Sequence, residues 1–541
     1  MDRFISKNKK VIKAHPKTVS KEKNGIAESL SDEYIQKIRN IAYIGKKGYT
    51  ISKSSLTNED IEFLRKDLFV KPQIMGATYG APDATAFPVY RENANKIYLP
   101  RFYGIQRYGI PMKSDLEPGD DIQLEFAKTL RDYQTKIVNV YTNYVDRDLC
   151  AAENSIKGAG GILEVPCGRG KTVMALKIIS TLSKKTLIIV HKEFLMNQWI
   201  ERIEEFLPDA RIGKIQGGTF DIENKDIVIG MIQTLYDKIY PSDAFSSFGL
   251  TVVDEVHRIG SEQFSKTLFK TITPCMLGIS ATVDRKDKLT KVLHMFIGEK
   301  IYSEEREDDD PVCVRAIQYK CGDTEFNETE LDYRGKPKYS TMITKLCGFG
   351  PRSDFIVRVI SDLVSENNKS QIMILCHNRS LLTYLHDAIE FQKFASVGYY
   401  VGGMKQVALQ ETEKKQIVLA TYAMAAEALD IKTLSILVMV TPKTDITQSV
   451  GRILRVRHEN PIVVDIVDPH DIFQNQWNQR KRFYKKCNYR ILQTDTAKYN
   501  SHDTKWRTLY EPSNNGNDAE NEKEELPPAK CLIDCSLFKD V

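Results

Sequence analysis

The residues able to do chemistry are densest in one stretch, Glu164 to Lys177, which reads EVPCGRGKTVMALK. An apolar run from Gly161 to Val165 breaks at Pro166 and enters the turn Cys167-Gly168-Arg169-Gly170. Lys171 and Thr172 then open a helical pattern carried by Val173, Ala175, Leu176 and Ile179. Gly168 and Gly170 can take conformations closed to residues with a Cβ, so successive N–H groups can point at one anion above a helix N-terminus. Lys171 is then placed for the β- and γ-phosphates of a nucleotide and Thr172 for a Mg²⁺ ion. The general pattern G-x-x-x-x-G-K-[ST] has glycine where this chain has Val165; what stands here is the shorter form P-x-G-x-G-K-T.

A second cluster supplies acid. The apolar run Leu250 to Val253 ends at Asp254-Glu255-Val256-His257. A carboxylate at the end of a buried strand can hold Mg²⁺ near the phosphates, and its neighbour, pointing elsewhere, can orient or deprotonate the attacking water. A third cluster supplies cations. Arg452 and Arg455, in Gln448-Ser449-Val450-Gly451-Arg452-Ile453-Leu454-Arg455, lie at i and i+3, so both guanidinium groups reach one anion from one helix face. An arginine placed against a phosphoryl-transfer transition state contributes roughly 10³ to 10⁵ in rate. Gln134 offers an amide that matches the N6/N7 edge of adenine, just ahead of the phosphate turn. The small hydroxyl residues of Ser280-Ala281-Thr282 follow the strand Met276 to Ile279 and can hydrogen-bond toward Asp254 or His257.

These clusters need a scaffold. Short apolar runs at Thr186 to Val190, Asp226 to Met231 and Leu250 to Val253 alternate with helical patterns, as in a doubly wound parallel sheet, whose ligands gather at the carboxyl ends of the strands. A second α/β unit begins near Pro351, with strands at Gln371 to Cys376, Gln416 to Ala420, Ile436 to Val440 and Pro461 to Ile466; Thr421, Glu427 and Asp430 follow one of them. The expected order is a disordered basic arm over 1–25, an accessory α+β domain over 26–119, a first lobe over 120–300, a linker or insertion over 301–350, a second lobe over 351–490 and a largely disordered tail over 491–541. Within the accessory domain, helices are expected over Ser31 to Asn40 and Asn58 to Leu68. The aromatics and arginines interleaved from Phe87 to Gly109 either clamp a nucleic-acid strand or build a β-rich core and its surface.

With 541 residues, 42% apolar and 28% charged, the composition is that of a globular protein with several cores. No apolar run approaches the roughly 20 residues that cross a bilayer, and the lysine-rich start has no apolar core after it, so an intracellular, soluble protein is expected. The ten cysteines include no C-x-x-C pair and read as free thiols. A net charge of +5 permits nucleic-acid binding through local patches without demanding it.

Gln134, PCGRGKT, the His191 to Trp199 segment, Thr234, DEVH at 254–257, SAT at 280–282, Thr421 to Asp430 and QSVGRILR follow the order of the superfamily 2 helicase motifs, over roughly Leu130 to Arg455. The combination of PCGxGKT, DEVH, SATVDRKD and Q-x-x-GRILR resembles the branch holding the XPB repair and transcription helicase and the helicases of large DNA viruses and phages, the poxvirus transcript-release type among them. The resemblance implies two RecA-like lobes closing on ATP and Mg²⁺, a nucleic-acid strand gripped across both, and 3′ to 5′ movement on DNA in transcription or repair. It assigns nucleotide binding to Arg131, Gln134, Pro166, Cys167, Gly168, Arg169, Gly170, Lys171, Thr172 and Asp254, with Mg²⁺ on Thr172 and Asp254. Catalysis falls to Lys171, Glu255, Gln448, Arg452 and Arg455. Coupling of hydrolysis to movement falls to His257, Ser280, Ala281, Thr282 and Asp430. Ser449 departs from relatives that carry a second arginine there. Transcription or repair proteins are expected to dock on the N-terminal domain, and a viral source would place the protein in the host-cell cytoplasm or the virion. Two rival readings are an RNA-directed helicase, since no motif reads a 2′-OH or a thymine methyl, and a nucleotide-switched scaffold, which a damaged Glu255 or arginine would have signalled.

Overall fold

The computed structural model describes residues 30–72, 86–153, 155–166, 168–256, 262–281, 283, 289–304, 312–427, 431, 433–446, 449–451, 458, 460–501 and 503–512. The two largest sheets have eight strands each and are almost wholly parallel, and a smaller five-stranded sheet packs against the first.

The first large sheet runs in the order Thr219–Phe220, Ile212–Gln216, Ile227–Met231, Thr186–Val190, Leu250–Asp254, Cys275–Ser280, Gly160–Glu164, Lys300–Ser303. Its central strands are buried along their whole length and mostly apolar because helices or other elements cover both faces. Successive side chains fall on opposite faces, so Ile188, Val190, Leu250 and Val252 join one core with the helices Asp132–Val145, Lys171–Leu182 and Glu193–Phe206, while Leu187, Ile189 and Val253 join the other. That other core is shared: Ile44, Tyr49, Ile51, Ile97 and Leu99 of the N-terminal sheet belong to it.

The N-terminal module holds helix Asp32–Ile41, capped by Ser31, and helix Asn58–Asp67, capped by Thr57, close to the expected spans. Its sheet runs Arg91–Glu92, Lys96–Leu99, Gly48–Ser52, Tyr43–Gly45, Lys113–Ser114. Of the two readings of residues 87–109, the structure favours the core: Tyr103, Tyr108 and Arg101 are buried. Arg101 donates from Nη1 to the carbonyls of Thr273 (3.0 Å) and Pro274 (2.9 Å), and Arg91 to that of Lys266 (3.1 Å), so the arginines fasten the module to the first sheet. Asp60 gathers Arg107, Tyr108 and Tyr34 around one buried carboxylate.

The second large sheet runs Val397–Tyr400, Ile417–Thr421, Gln371–Cys376, Leu434–Met439, Ile462–Val467, Cys313–Gln318, Arg490–Asp495, Arg507–Tyr510. Two of the expected boundaries change here. Cys313–Gln318, inside the stretch read as linker, pairs with Ile462–Val467 on one side and Arg490–Asp495 on the other. Arg490–Asp495 and Arg507–Tyr510, largely within the stretch read as tail, close the sheet edge. Both were hidden by charge: Arg315 sits in the first strand and is satisfied by a two-pronged pair with Glu366 (2.5 and 2.6 Å), and the outer strands are half-exposed. Helix Asp471–Lys486 lies beneath, with Arg480 buried against Asp465. The described cysteines are all free thiols, and no described helix is long and apolar enough to cross a membrane.

Candidate active site

Strand order places the chemistry. Cys275–Ser280 lies between Gly160–Glu164, which feeds the phosphate turn, and Leu250–Asp254, which ends in the acid pair; Ser280 registers with Glu164 and Ile279 with Asp254. The carboxyl ends of all three strands therefore meet at one edge. Ser280 is fully buried there, its carbonyl accepting from the Val165 N–H at 2.9 Å, and Ala281 follows it.

The turn has the geometry that its glycines predict, with φ of +83° at Gly168 and +80° at Gly170. Gly170 is needed twice, since a Cβ there would also meet Gln134 Nε2 at 2.5 Å. Lys171 opens the twelve-residue helix Lys171–Leu182, and Thr172 follows in its first turn, so the helix N-terminus faces the turn. The Pro166 carbonyl and the Arg169 N–H lie 3.5 Å apart across the turn.

Lys171 Nζ reaches Glu255 Oε1 at 3.4 Å, across the strand order rather than along the chain. Glu255 has φ of +51°. The other described non-glycine residues with positive φ are Ser183 and Lys393 at helix ends and two asparagines, Asn224 and Asn488, whereas Glu255 holds this conformation at the end of a strand. Such a residue is strained by about 1–3 kcal/mol. The strain turns Glu255 away from the course of the strand and toward Lys171, so two adjacent carboxylates take different positions.

Asp254 stays inside. It is 7% exposed and accepts a hydrogen bond from Trp199 Nε1 at 2.9 Å. Burial first, and the neighbouring Glu255 second, push its carboxyl up to about 6, against the opposing pull of the Trp199 N–H and Lys171. A buried carboxylate held up in this way gains from a cation beside it. Trp199 had no such role from its spacing on helix Glu193–Phe206; only the fold brings it to the acid.

Gln134 is placed beside the turn, not open to it. Its Oε1 accepts from the Arg131 N–H at 3.0 Å, capping helix Asp132–Val145, and its Nε2 donates to the Arg169 carbonyl at 3.1 Å. Tyr133 donates to the same carbonyl at 3.1 Å, with the Arg169 guanidinium 4.4 Å from its ring centroid. Arg169 also pairs with Glu304, at the exit from the first sheet. Cys167, His257, Thr282, Asp430, Gln448, Arg452 and Arg455 lie outside the described residues.

Glu164 had no predicted role. Its Oε1 accepts from the Val283 N–H at 2.7 Å, and its Oε2 from Lys300 Nζ (2.7 Å) and Ser303 Oγ (2.6 Å). One carboxylate thus ties the strand before the phosphate turn to the segment after Ser280-Ala281 and to the exit strand. Burial raises this carboxyl, but the bonds from Lys300, Ser303 and Val283 outweigh it and leave it below its ordinary 4.5. Its contribution to stability is therefore full above about pH 4.5 and is lost as pH falls through the lower folded value. Glu164→Gln is expected to cost about 1–2 kcal/mol after solvent screening. Urea unfolding at pH 7 and pH 4 checks this: the gap between variant and parent should narrow at pH 4, and an equal gap at both would reject the ionic role.

Comparison with known proteins gives the family. Residues 127–285 match the family model described as Type III restriction enzyme, res subunit. The chain is 33% identical over 463 residues to L396 of Acanthamoeba polyphaga mimivirus, named as an ATP-dependent RNA helicase, covering 83% of this chain and 86% of that one. It is 28% identical over 379 residues to QP509L of African swine fever virus, also named as an ATP-dependent RNA helicase, covering 65% and 74%. It is 29% identical over 215 residues to the DNA 3′-5′ translocase XPB2 of Sulfurisphaera tokodaii, covering 38% and 44%. With the glycine turn, the strained glutamate and the buried aspartate gathered at one edge of the sheet, the chain belongs to the superfamily 2 helicases and is an ATP-dependent, nucleic-acid-binding ATP hydrolase of that family.

Proposed function

We propose that the protein is a 3′ to 5′ DNA helicase or translocase serving viral transcription or DNA repair, powered by Mg-ATP hydrolysis between its two RecA-like lobes. The observation that carries the hydrolytic half is the Lys171–Glu255 pair at 3.4 Å, with Glu255 held at φ +51° beside a buried Asp254. DNA and polarity rest on similarity to a relative named as a DNA 3′-5′ translocase.

In this reading the N–H groups of residues 168–171 and the Lys171 ammonium hold the β- and γ-phosphates. Glu255 orients the attacking water and takes its proton, which needs a carboxylate free of metal duty, and its separation from Asp254 supplies that. Asp254 and Thr172 are the residues that would hold Mg²⁺. A buried carboxylate with a raised affinity for protons fits a divalent cation, which would supply positive charge to offset that of the phosphates. Gln448, Arg452 and Arg455 are proposed to complete the site from the second lobe, and His257, Ser280 to Thr282 and Asp430 to couple hydrolysis to movement. The accessory region ahead of residue 119 is proposed to receive transcription or repair proteins, in the host-cell cytoplasm or the virion.

A second reading, an RNA helicase, is favoured by the names of the viral relatives. Steady-state ATPase assays with no polymer, single-stranded DNA, duplex DNA and RNA separate the two. Stimulation chiefly by DNA, at least about tenfold over RNA, is expected; the reverse order would overturn the DNA reading. Binding to the preferred polymer should weaken steeply with salt as phosphate contacts release counterions.

A further inference from the structure

We propose that Arg352, Tyr422, Tyr339 and Arg480 form a clamp that holds the backbone entering the Gln448–Arg455 segment in register for ATP hydrolysis, and that they are positioning residues for the reaction. The inference rests on the reading that Gln448, Arg452 and Arg455 complete the active site.

Val440, Thr441, Pro442 and Lys443 follow the strand Leu434–Met439, and each of these four consecutive carbonyls accepts a hydrogen bond from a side chain on a different helix. Arg352 Nη2, from helix Gly350–Glu366, donates to Val440 at 2.8 Å. Tyr422 Oη, from helix Tyr422–Glu427, donates to Thr441 at 2.6 Å. Tyr339 Oη, from helix Tyr339–Gly348, donates to Pro442 at 3.1 Å. Arg480 Nη1, from helix Asp471–Lys486, donates to Lys443 at 2.8 Å. The Thr441 hydroxyl is also engaged, accepting from the His377 N–H at 3.0 Å and lying 2.9 Å from His377 Nδ1.

Carbonyls leaving a strand end are ordinarily satisfied by water or neighbouring backbone at no cost in buried charge. Here two of the donors are buried arginines, each held by its own buried aspartate. Asp468 takes Arg352 at 2.6 and 2.8 Å, and Asp465 takes Arg480 at 2.7 and 2.9 Å. Both aspartates lie on or just beyond the strand Ile462–Val467, so the next strand over dictates where the segment sits. Buried ion pairs are a weak route to stability, since desolvation offsets their attraction, but they admit few geometries. Downstream, Ile446, Ser449 and Val450 are each 1% exposed. The chain is therefore bonded at Val440 to Lys443 and buried again at Ile446, Ser449 and Val450, and in the sequence Arg452 comes two residues after Val450.

Reacting groups held even 1 Å off position can lose about 100-fold in rate. The test is the full-length double variant Tyr339→Phe/Tyr422→Phe, which removes two donor hydroxyls and no charge. Its kcat for polymer-stimulated ATP turnover is expected to fall between about 10-fold and 100-fold. KM for ATP should stay within about twofold, because the first lobe supplies most ground-state binding. A merely structural role would lower the thermal midpoint and leave kcat of the folded enzyme at 25 °C unchanged. If the double variant does not fold, Tyr339→Phe alone, at a half-buried position, carries the same test. Arg452→Ala run beside it tells the two failures apart. Undiminished turnover in Arg452→Ala rejects the arginine reading, whereas loss there with parental kcat in the tyrosine variants overturns the clamp.

Discussion

Glu255→Gln is expected to lower steady-state ATP turnover by roughly 10²- to 10⁴-fold, the range associated with removing a positioned general base, while leaving ATP binding close to parental. The substitution keeps side-chain length and removes only the negative charge, so Lys171 keeps a hydrogen-bonding neighbour in place of the carboxylate it meets at 3.4 Å. The backbone argues for the same assignment. A glutamate at φ +51° costs the fold something that an asparagine or glycine would not, and the strain is spent turning this carboxylate away from Asp254. Turnover and nucleotide titration measured on the same preparation check the split. A variant that hydrolyses ATP at the parental rate removes Glu255 from catalysis; one that no longer binds ATP assigns it to ground-state binding. Lys171→Ala should lose both, because the ammonium meets the phosphates before and during the reaction.

The largest expected effect on stability comes from Asp468→Ala. Asp468 and Arg352 are both fully buried, and the guanidinium is held by two charge-assisted bonds to the carboxylate and one to the Val440 carbonyl. Truncating Asp468 leaves a buried cation without its counter-ion, which typically costs about 3–5 kcal/mol. For a unit of 150 to 250 residues each kcal/mol moves the midpoint by about 2–4 °C, so a fall on the order of 6–20 °C is expected in the transition that reports the second sheet. Multi-domain chains need not unfold in one step, so the measurement should resolve that transition separately, for instance by hydrogen exchange along Leu434–Met439 and Ile462–Val467. A midpoint within about 2 °C of parental would mean that the site relaxes to admit water. Replacing both partners with apolar residues should recover much of the loss, as the cost lies in the orphaned charge.

The site was legible where its chemistry is local. A glycine-flanked turn followed by lysine, threonine and a helical pattern needs neighbours in sequence to form, and it appears with the backbone signs predicted at Gly168 and Gly170. The central strands were equally plain, because burial on both faces writes a continuous apolar run into the chain, as in Thr186–Val190 and Leu250–Asp254. Cys313–Gln318 and Arg490–Asp495 escaped for the converse reason. Each carries charge: Arg315 is paired with Glu366 from another element, and Arg490, half exposed, is shared between water and Glu511. Polar residues in a strand read as loop until the partner is known.

The amino-acid sequence by itself determined the kind of chemistry, the order of the parts and the α/β class, because these follow from short-range patterns of residue type. Tertiary structure alone decided which groups meet. It set Lys171 against Glu255, gave Asp254 its bond from Trp199, tied Glu164 to two other segments, joined the N-terminal sheet to the first core, and brought four helices onto four consecutive carbonyls. Those contacts depend on parallel strands paired across long stretches of intervening chain. The register of such pairs is set by packing on both faces of a sheet, which no window of neighbouring residues contains.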